Sequence, residues 1–210
     1  MRKLLAFCMI AGPLLAAEGG AINDAERSFL VEQMEKSKKD FLASIDGLTA
    51  EQWKFKPAPN VWSVAECSEH IILAEGYLFG ASQGMLKSEV VARPATSTLE
   101  NDQKLAVMVE DRSHKATAPE PIVPSGKFAT PADAAKAFTQ VRDKSLAYAK
   151  TTSDDLRVHV TKGPLGTMDA YQMLLLMATH TGRHTAQIRE VQGNASYPKA
   201  TARVEVVVAP

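Results

Sequence analysis

The amino-acid sequence predicts an all-α protein, built as a four-helix bundle with one long crossover connection. Four segments carry apolar residues at helical spacing, and each begins at a residue that caps helices well. Between the second and third segments, residues 88–130 hold four prolines and show little periodicity. The chain has 210 residues, 45% hydrophobic and 23% charged, which is ordinary for one globular domain.

The first 17 residues are predicted to be a signal peptide. Arg2 and Lys3 precede the apolar run LLAFCMIAGPLLAA, whose last residues, Ala16 and Ala17, precede a polar EGG. This order is typical of exported proteins and favours cleavage after Ala17. The alternative is an apolar N-terminal helix docked on the domain. We therefore expect a periplasmic or secreted protein without stable membrane insertion after cleavage, because the run is too short to span a bilayer.

The charge pattern bears on binding partners, and the cysteine content bears on how the fold is stabilised. Removal of residues 1–17 takes two positive charges from the 24 basic residues and leaves 22 against 24 acidic ones. No cluster of Lys and Arg with interleaved aromatic residues occurs, so we expect no nucleic-acid partner. Cys67 is the one cysteine left after cleavage, so packing must hold the fold without an intramolecular disulfide. Cys67 itself is predicted to be a small buried hydrophobe.

The first two helices have clear boundaries. The first is predicted to begin near Asn23 and to end at Gly47, and residues 48–61 are interpreted as a connecting loop because they contain two prolines. Ser63 and Glu66 form an S-x-x-E capping box that opens the second helix. That helix stays apolar on more than one side as far as residue 86, which indicates that it is mostly buried.

The second half of the bundle follows the crossover. Residues 88–130 are interpreted as a long connection with at most a short helix. Thr130 and Pro131 then open a third helix through Ala149. Its apolar stripe is predicted to comprise Ala134, Phe138, Val141 and Leu146, and the membership of Tyr148 is left open.

The last helix is preceded by a short strand and turn over residues 157–167. Thr167 and Asp169 open this fourth helix, and Gly193 closes it. The predicted organisation is therefore a signal peptide at 1–17, a bundle domain at 18–195 and a C-terminal tail at 196–210. The tail is interpreted as a loosely attached strand.

Two histidines of the fourth helix point to a metal site. His180 and His184 lie one turn apart, about 6 Å along the helix axis, and imidazoles at that spacing can converge on one ion. They replace hydrophobic residues on the stripe that should face the core. The stripe runs through Met173, Met177, His180, His184, Ile188 and Val191.

A third histidine lies among the apolar residues of the second helix. If the two helices are neighbours, His70 joins His180 and His184, and three neutral ligands with an open fourth position are typical of a catalytic zinc site. The alternative is a chance H-x-x-x-H pair on a solvated face, with His70 as a hydrogen-bonded core residue. Spacing and helical face alone leave both interpretations open.

Other polar residues receive structural interpretations. His114 is predicted to lie in an exposed loop. His159 is predicted to be structural, and the alternative is that it lines the site. Glu66 is interpreted as the cap of its helix rather than a member of the site. Arg183 is interpreted as a solvated surface residue rather than a group that holds a substrate carboxylate at the rim.

Two stretches carry motifs that resemble a known family. KPAPNVWSVAECSEHI is similar to a pattern of a proline-containing loop, Trp-Ser and a helix with Glu-His, and GPLGTMDAYQMLLLMATHTGRHTAQIREV to a pattern of H-x-x-R-H-x-x-Q-I in a last helix. Both patterns are those of the DinB/YfiT superfamily of metal-binding four-helix bundles. The resemblance spans about residues 23–193. Carried over position by position, it implies that His70, His180 and His184 are the metal ligands.

The resemblance also implies what the protein does. Family members are associated with zinc or nickel, and they include thiol-dependent S-transferases, a maleylpyruvate isomerase and many proteins without known activity. We therefore expect a divalent-metal-dependent enzyme of hydrolase or thiol-transferase type, acting on an unidentified small molecule. Export favours hydrolysis, because low-molecular-weight thiols are scarce outside the cytosol. The alternatives are a non-catalytic metal- or ligand-binding module and a bundle that binds metal poorly; a homodimer is left open.

Overall fold

The structure, a computed structural model, describes residues 22–163 and 165–199. The helices and strands follow one another in this order: α1 (Asp24–Ile45), α2 (Ala50–Lys54), α3 (Val64–Met85), α4 (Leu99–Glu110), a 3₁₀ helix (Glu120–Ile122), α5 (Pro131–Thr151), β1 (Val160–Gly163), β2 (Gly166–Asp169) and α6 (Ala170–Gln192). The predicted signal peptide at 1–17 lies outside the described residues, as does most of the predicted tail. No helix of the described ranges is long and apolar enough to cross a bilayer.

Side-chain caps start the four long helices at the predicted residues. A cap oxygen accepts a hydrogen bond from a backbone N–H that has no partner inside the helix, which stabilises the first turn. In α1, α3 and α6 the third helical residue returns a side-chain bond, which completes a capping box. The cap residues are Asn23, Ser63, Thr130 and Asp169.

Helices α1, α3, α5 and α6 form the bundle, and the predicted fold class is confirmed. Around the bundle the order is α1, α6, α3, α5, so that α3 packs against both α5 and α6. The crossover between α3 and α5 carries α4, which packs on α6. An antiparallel hairpin of β1 and β2 leads into α6, with Val160 opposite Asp169. Consequently the two helices that carry the three predicted ligands are neighbours, as the sequence analysis required.

Two connections contain more helix than predicted. Residues 48–61, interpreted as a loop, include α2, which begins with a capping box between Thr49 and Gln52. Trp53 of this helix is fully buried, and its indole N–H donates to the Phe128 carbonyl at 3.2 Å. The crossover carries the 12-residue α4 rather than at most a short helix. Tertiary contacts therefore organise both connections.

A polar layer separates two apolar clusters in the core. Arg142 is fully buried and donates to both carboxylate oxygens of Glu75, the Nε–Oε2 distance being 2.9 Å, and to Ser37 and Thr181 at 2.8 and 3.1 Å. The predicted stripe of α5 is wrong at one position, because Val141 is only half-buried while Arg142 occupies the core. This layer joins α1, α3, α5 and α6 at one level of the bundle.

Candidate metal centre

The structure brings the three predicted histidines together. His70 projects from α3 and His180 and His184 from α6. The Nε2 atom of His70 lies 3.3 Å from that of His180 and 3.2 Å from that of His184. One ring nitrogen of each histidine lies within 4.8 Å of the other two. His70 is 2% exposed, and the other two are half-buried.

Hydrogen bonds on the far side of two rings set their tautomers. His70 Nδ1 lies 2.7 Å from the Ile122 carbonyl oxygen, and His184 Nδ1 lies 2.8 Å from Gln187 Oε1. Both partners are acceptors, so each Nδ1 must carry the proton. The Nε2 atoms of His70 and His184 are therefore left as lone-pair acceptors that face each other.

This donor set fits a divalent metal ion. Two imidazole nitrogens at 2.0–2.1 Å from a tetrahedral ion are separated by about 3.3 Å, close to the observed separations. Two acceptor lone pairs at 3.2 Å repel each other unless a cation or a proton lies between them. Histidines that ligate a metal through one ring nitrogen normally donate the N–H of the other to a carbonyl or carboxylate oxygen, as His70 and His184 do here. The nitrogen–nitrogen distances, the tautomers and the hydrogen bonds to Nδ1 are thus all consistent with a metal-binding site.

The histidines are neutral at physiological pH. Burial, followed by the fields of His70 and Arg183, lowers the pKa of His180 to about 3. Burial and the neighbouring imidazoles lower the pKa of His184 to about 2, and burial lowers the pKa of His70 as well. Neutral imidazole is the form that ligates a metal, so no proton needs to be displaced at neutral pH.

An aromatic wall and a cation flank the three rings. Trp62 directly precedes the cap of α3, and the centroid of its ring lies 4.9 Å from that of His70 and 6.2 Å from that of His184. Arg112, from the crossover, forms an ion pair with Glu190 and reaches Gln187 Oε1 at 3.4 Å. It therefore adds a positive charge behind the acceptor that orients His184.

Arg183 has a different role from either of those weighed in the sequence analysis. Its guanidinium donates to the carbonyl oxygens of Val109 at 3.2 Å, of Asp111 and of His114. These carbonyls belong to the end of α4 and the residues after it. Arg183 thus fastens the crossover onto α6, between the two histidines of that helix, and is not a free surface group.

Glu69 fastens the crossover onto α3. It is 2% exposed and accepts bonds from the backbone N–H groups of Ser125, Gly126 and Lys127 and from the Ser125 hydroxyl. Burial alone raises the pKa of Glu69, but these hydrogen bonds outweigh it and hold the pKa below its ordinary value. The carboxylate therefore stays ionised beside the ligand His70.

The remaining residues of the sequence analysis are not members of the histidine cluster. Glu66 caps α3 and pairs with Lys56, as its capping interpretation predicted. His114 is exposed, as predicted. Cys67 is buried, as predicted, and burial raises the pKa of its thiol to about 12. His159 is not part of the cluster, and its carbonyl accepts the backbone N–H of the first residue of α6.

Sequence reasoning missed the groups that orient the ligands. Gln187 follows His184 by three positions, which puts the two on one helix face, and this spacing was the available indication. The Ile122 carbonyl had none, because it is a backbone group 52 residues from His70 in the chain. Glu69 and Trp62 lie within the Trp-Ser and Glu-His motif, but the sequence does not reveal what they contact.

Comparisons with known proteins agree with this architecture. A family model described as the DinB superfamily matches residues 33–188. The chain is 24% identical over 149 residues to the uncharacterized protein YuaE of Bacillus subtilis, covering 70% of this chain and 88% of that protein. YfiT from Bacillus subtilis, described as a probable metal-dependent hydrolase with an unusual four-helix bundle topology, has a similar structure with a TM-score of 0.56 and 14% identity. That likeness covers 82% of this chain and 89% of YfiT.

Proposed function

We propose that this chain, which belongs to the DinB superfamily, binds one divalent metal ion through His70, His180 and His184 and is a metal-dependent hydrolase. One observation carries the proposal. The tautomers set by Ile122 and Gln187 leave two imidazole lone pairs facing each other at 3.2 Å, an arrangement that a cation stabilises. The three ligands leave room for a fourth, which is typical of catalytic rather than structural sites.

The donor set favours zinc or nickel. Imidazole nitrogen suits both ions, whereas magnesium and calcium take oxygen ligands. When bound, such an ion supplies Lewis acidity and activates water for attack at neutral pH. The chain's own residues hold the imidazoles neutral, orient two of the rings and place the Trp62 indole beside His70.

Hydrolysis is preferred to thiol transfer for two reasons. YfiT is described as a probable metal-dependent hydrolase. We also propose that residues 1–17 direct export, and a low-molecular-weight thiol is scarce outside the cytosol. The competing proposal is a non-catalytic metal-binding module, because in the described part of the chain the cluster itself consists of histidines alone.

Metal analysis followed by a substrate screen tests the proposal. Protein purified without chelators should contain about one zinc or nickel per chain by elemental analysis, and His184→Ala should contain far less. His114→Ala is the matched control, because its exposed side chain is outside the cluster. The same preparations are then assayed for hydrolysis of ester and amide panels and for thiol transfer.

The outcomes separate the alternatives. Metal-dependent hydrolysis that is lost in His184→Ala and kept in His114→Ala supports the hydrolase. Metal at one equivalent without turnover of any panel favours the binding module. Wild-type protein that takes up no divalent metal, even after incubation with excess zinc and nickel, refutes the metal site itself.

A further inference from the structure

We infer that Glu69 is a positioning residue for the ligand His70, acting through the crossover segment 122–127. Glu69 and His70 are consecutive on α3, and both reach this one segment. His70 Nδ1–H donates to the carbonyl at its start, and the Glu69 carboxylate accepts from the backbone at its end. The inference rests on the proposed function wherever metal affinity is concerned.

Four hydrogen bonds join Glu69 to the segment. Oε1 accepts from the N–H and hydroxyl of Ser125 at 2.8 and 2.9 Å, and Oε2 accepts from the N–H groups of Gly126 and Lys127 at 2.8 and 2.9 Å. Gly126 has a φ of +87°, a left-handed conformation that turns successive N–H groups toward one point. The segment therefore wraps its donors around one carboxylate.

The Ile122 carbonyl depends on this attachment. Pro121 directly precedes Ile122 and Pro124 lies two residues after it, and neither proline has a backbone N–H to donate. The segment's local bonds are the 3₁₀ bonds from Ile122 and Val123 back to Pro119 and Glu120. Burial of the Ile122 side chain and the Glu69 carboxylate hold the segment against α3.

Loosening the segment should act on His70. Without a fixed acceptor on Nδ1, the imidazole can exchange its proton between the two nitrogens and rotate, and only the Nδ1–H tautomer offers Nε2 to a metal. Loss of an orienting partner of this kind typically weakens metal binding by about 10–100-fold. We therefore expect Glu69 to influence affinity without itself touching the ion.

The test compares Glu69→Gln with Glu66→Gln. Both replace one carboxylate of α3 by an amide, but Glu66 contacts Ser63 and Lys56 instead of the crossover, and glutamine also serves in a capping box. In Glu69→Gln the amide NH₂ faces N–H donors, so part of the four hydrogen bonds between residue 69 and the segment must be lost. Ser125→Ala, which removes one of the four bonds, is a milder variant that decides the question if Glu69→Gln does not fold.

Two readouts are measured on the full mature chain. Zinc titration by calorimetry should show affinity about tenfold or more lower in Glu69→Gln, a smaller loss in Ser125→Ala and no change in Glu66→Gln. Long-range ¹H–¹⁵N correlation spectra of the metal-free protein should show His70 as the Nδ1–H tautomer in wild type and Glu66→Gln, and as a mixture in Glu69→Gln. General destabilisation would not produce the tautomer change.

The outcomes keep this inference separate from the proposed function. Unchanged zinc affinity and an unchanged His70 tautomer in Glu69→Gln overturn the inference and leave the metal site standing. Wild type that binds no zinc overturns the proposed function, and the metal-free spectra then decide the inference on their own. An equal loss of zinc affinity in Glu66→Gln also overturns it, because the effect would then come from α3 as a whole.

Discussion

Replacing His184 with alanine tests the metal centre most directly. Its Nε2 atom lies 3.2 Å from that of His70, and its Nδ1–H donates to Gln187 Oε1. The substitution removes one of three imidazole nitrogens and leaves His70 and His180 in place. Because apolar packing and the Arg142–Glu75 pair hold the helices, the variant should fold without metal.

The expected stabilisation by zinc follows from the linkage between metal binding and folding. An ion that binds only the folded chain stabilises it by about 2.7 kcal/mol at a hundredfold excess over the dissociation constant. For a domain of this size, 1 kcal/mol shifts the melting temperature by about 2–4 °C, so zinc should raise that of wild type by about 5–10 °C. If the loss of one ligand weakens binding about a hundredfold, the same zinc concentration contributes only about 0.4 kcal/mol.

The assay is a thermal melt at neutral pH with and without zinc or nickel, for wild type, His184→Ala and His114→Ala. The control keeps the backbone carbonyl that accepts from Arg183, so its metal-induced shift should equal that of wild type. A His184→Ala protein with the full wild-type shift would show that His184 is not a ligand, and the functional proposal would fail with it.

Three further predictions concern pH, the core and export. Because the folded pKa values of His180 and His184 are about 3 and 2, against about 6.5 in the unfolded chain, the unfolded chain binds more protons below pH 6.5. Metal-free wild type should then lose stability as pH falls, by up to about 1.4 kcal/mol per unit for each histidine, and urea titrations should show a smaller loss in His184→Ala. Glu75→Gln leaves Arg142 buried without its ionic partner and should lower the free energy of unfolding by about 3–5 kcal/mol in the same titrations. The double variant Glu75→Leu with Arg142→Met should regain most of this loss. An equal loss of stability in the single and double variants would show that the unpaired charge is not its cause. Mass spectrometry of protein expressed in a secreting bacterial host should show an N-terminus near Glu18, and an intact Met1 in the cytosolic fraction would refute export.

The helix starts could be predicted because their causes are local. Asn23, Ser63, Thr130 and Asp169 each cap a helix through a bond to a residue three positions away, so the pattern is visible within four letters of sequence. The same logic applied to Thr49 and Gln52, whose capping box begins α2. The nearby prolines favour a loop, and the sequence analysis therefore predicts no helix there.

Features that depend on tertiary contacts are harder to predict from the sequence. Helix α4 leaves Val107 and Met108 exposed, at 73% and 51%, and its apolar residues therefore do not form the single stripe that marks an amphipathic helix. Arg142 looks like a polar-face residue until Glu75 on α3 is known to lie opposite it. In both places, the partner that decides the structure is far away in sequence.

The same distinction between local and tertiary causes applies to the candidate site. The histidines could be located because His180 and His184 interrupt an apolar stripe at the spacing of one turn, and His70 lies in a mostly apolar helix. The groups that orient these histidines could not be located from the sequence. The Ile122 carbonyl and the N–H groups that bind Glu69 reach α3 only because of the path that the crossover takes through the fold. A sequence pattern reports which face a ligand occupies, but not what fixes its tautomer.

Helix α6 shows why the site should exist before any metal arrives. His180 and Thr181 are adjacent, and they serve different faces of the helix. Thr181 donates to Glu75 at 2.8 Å and accepts from Arg142 at 3.1 Å, which ties α6 to α3 and α5 beside the level of the ligands. Because this buried network is complete without an ion, the histidines are held at ligating distances by the fold. Metal binding should consequently add stability by mass action without changing the helical content, unlike a zinc finger, which folds only when its ion is bound.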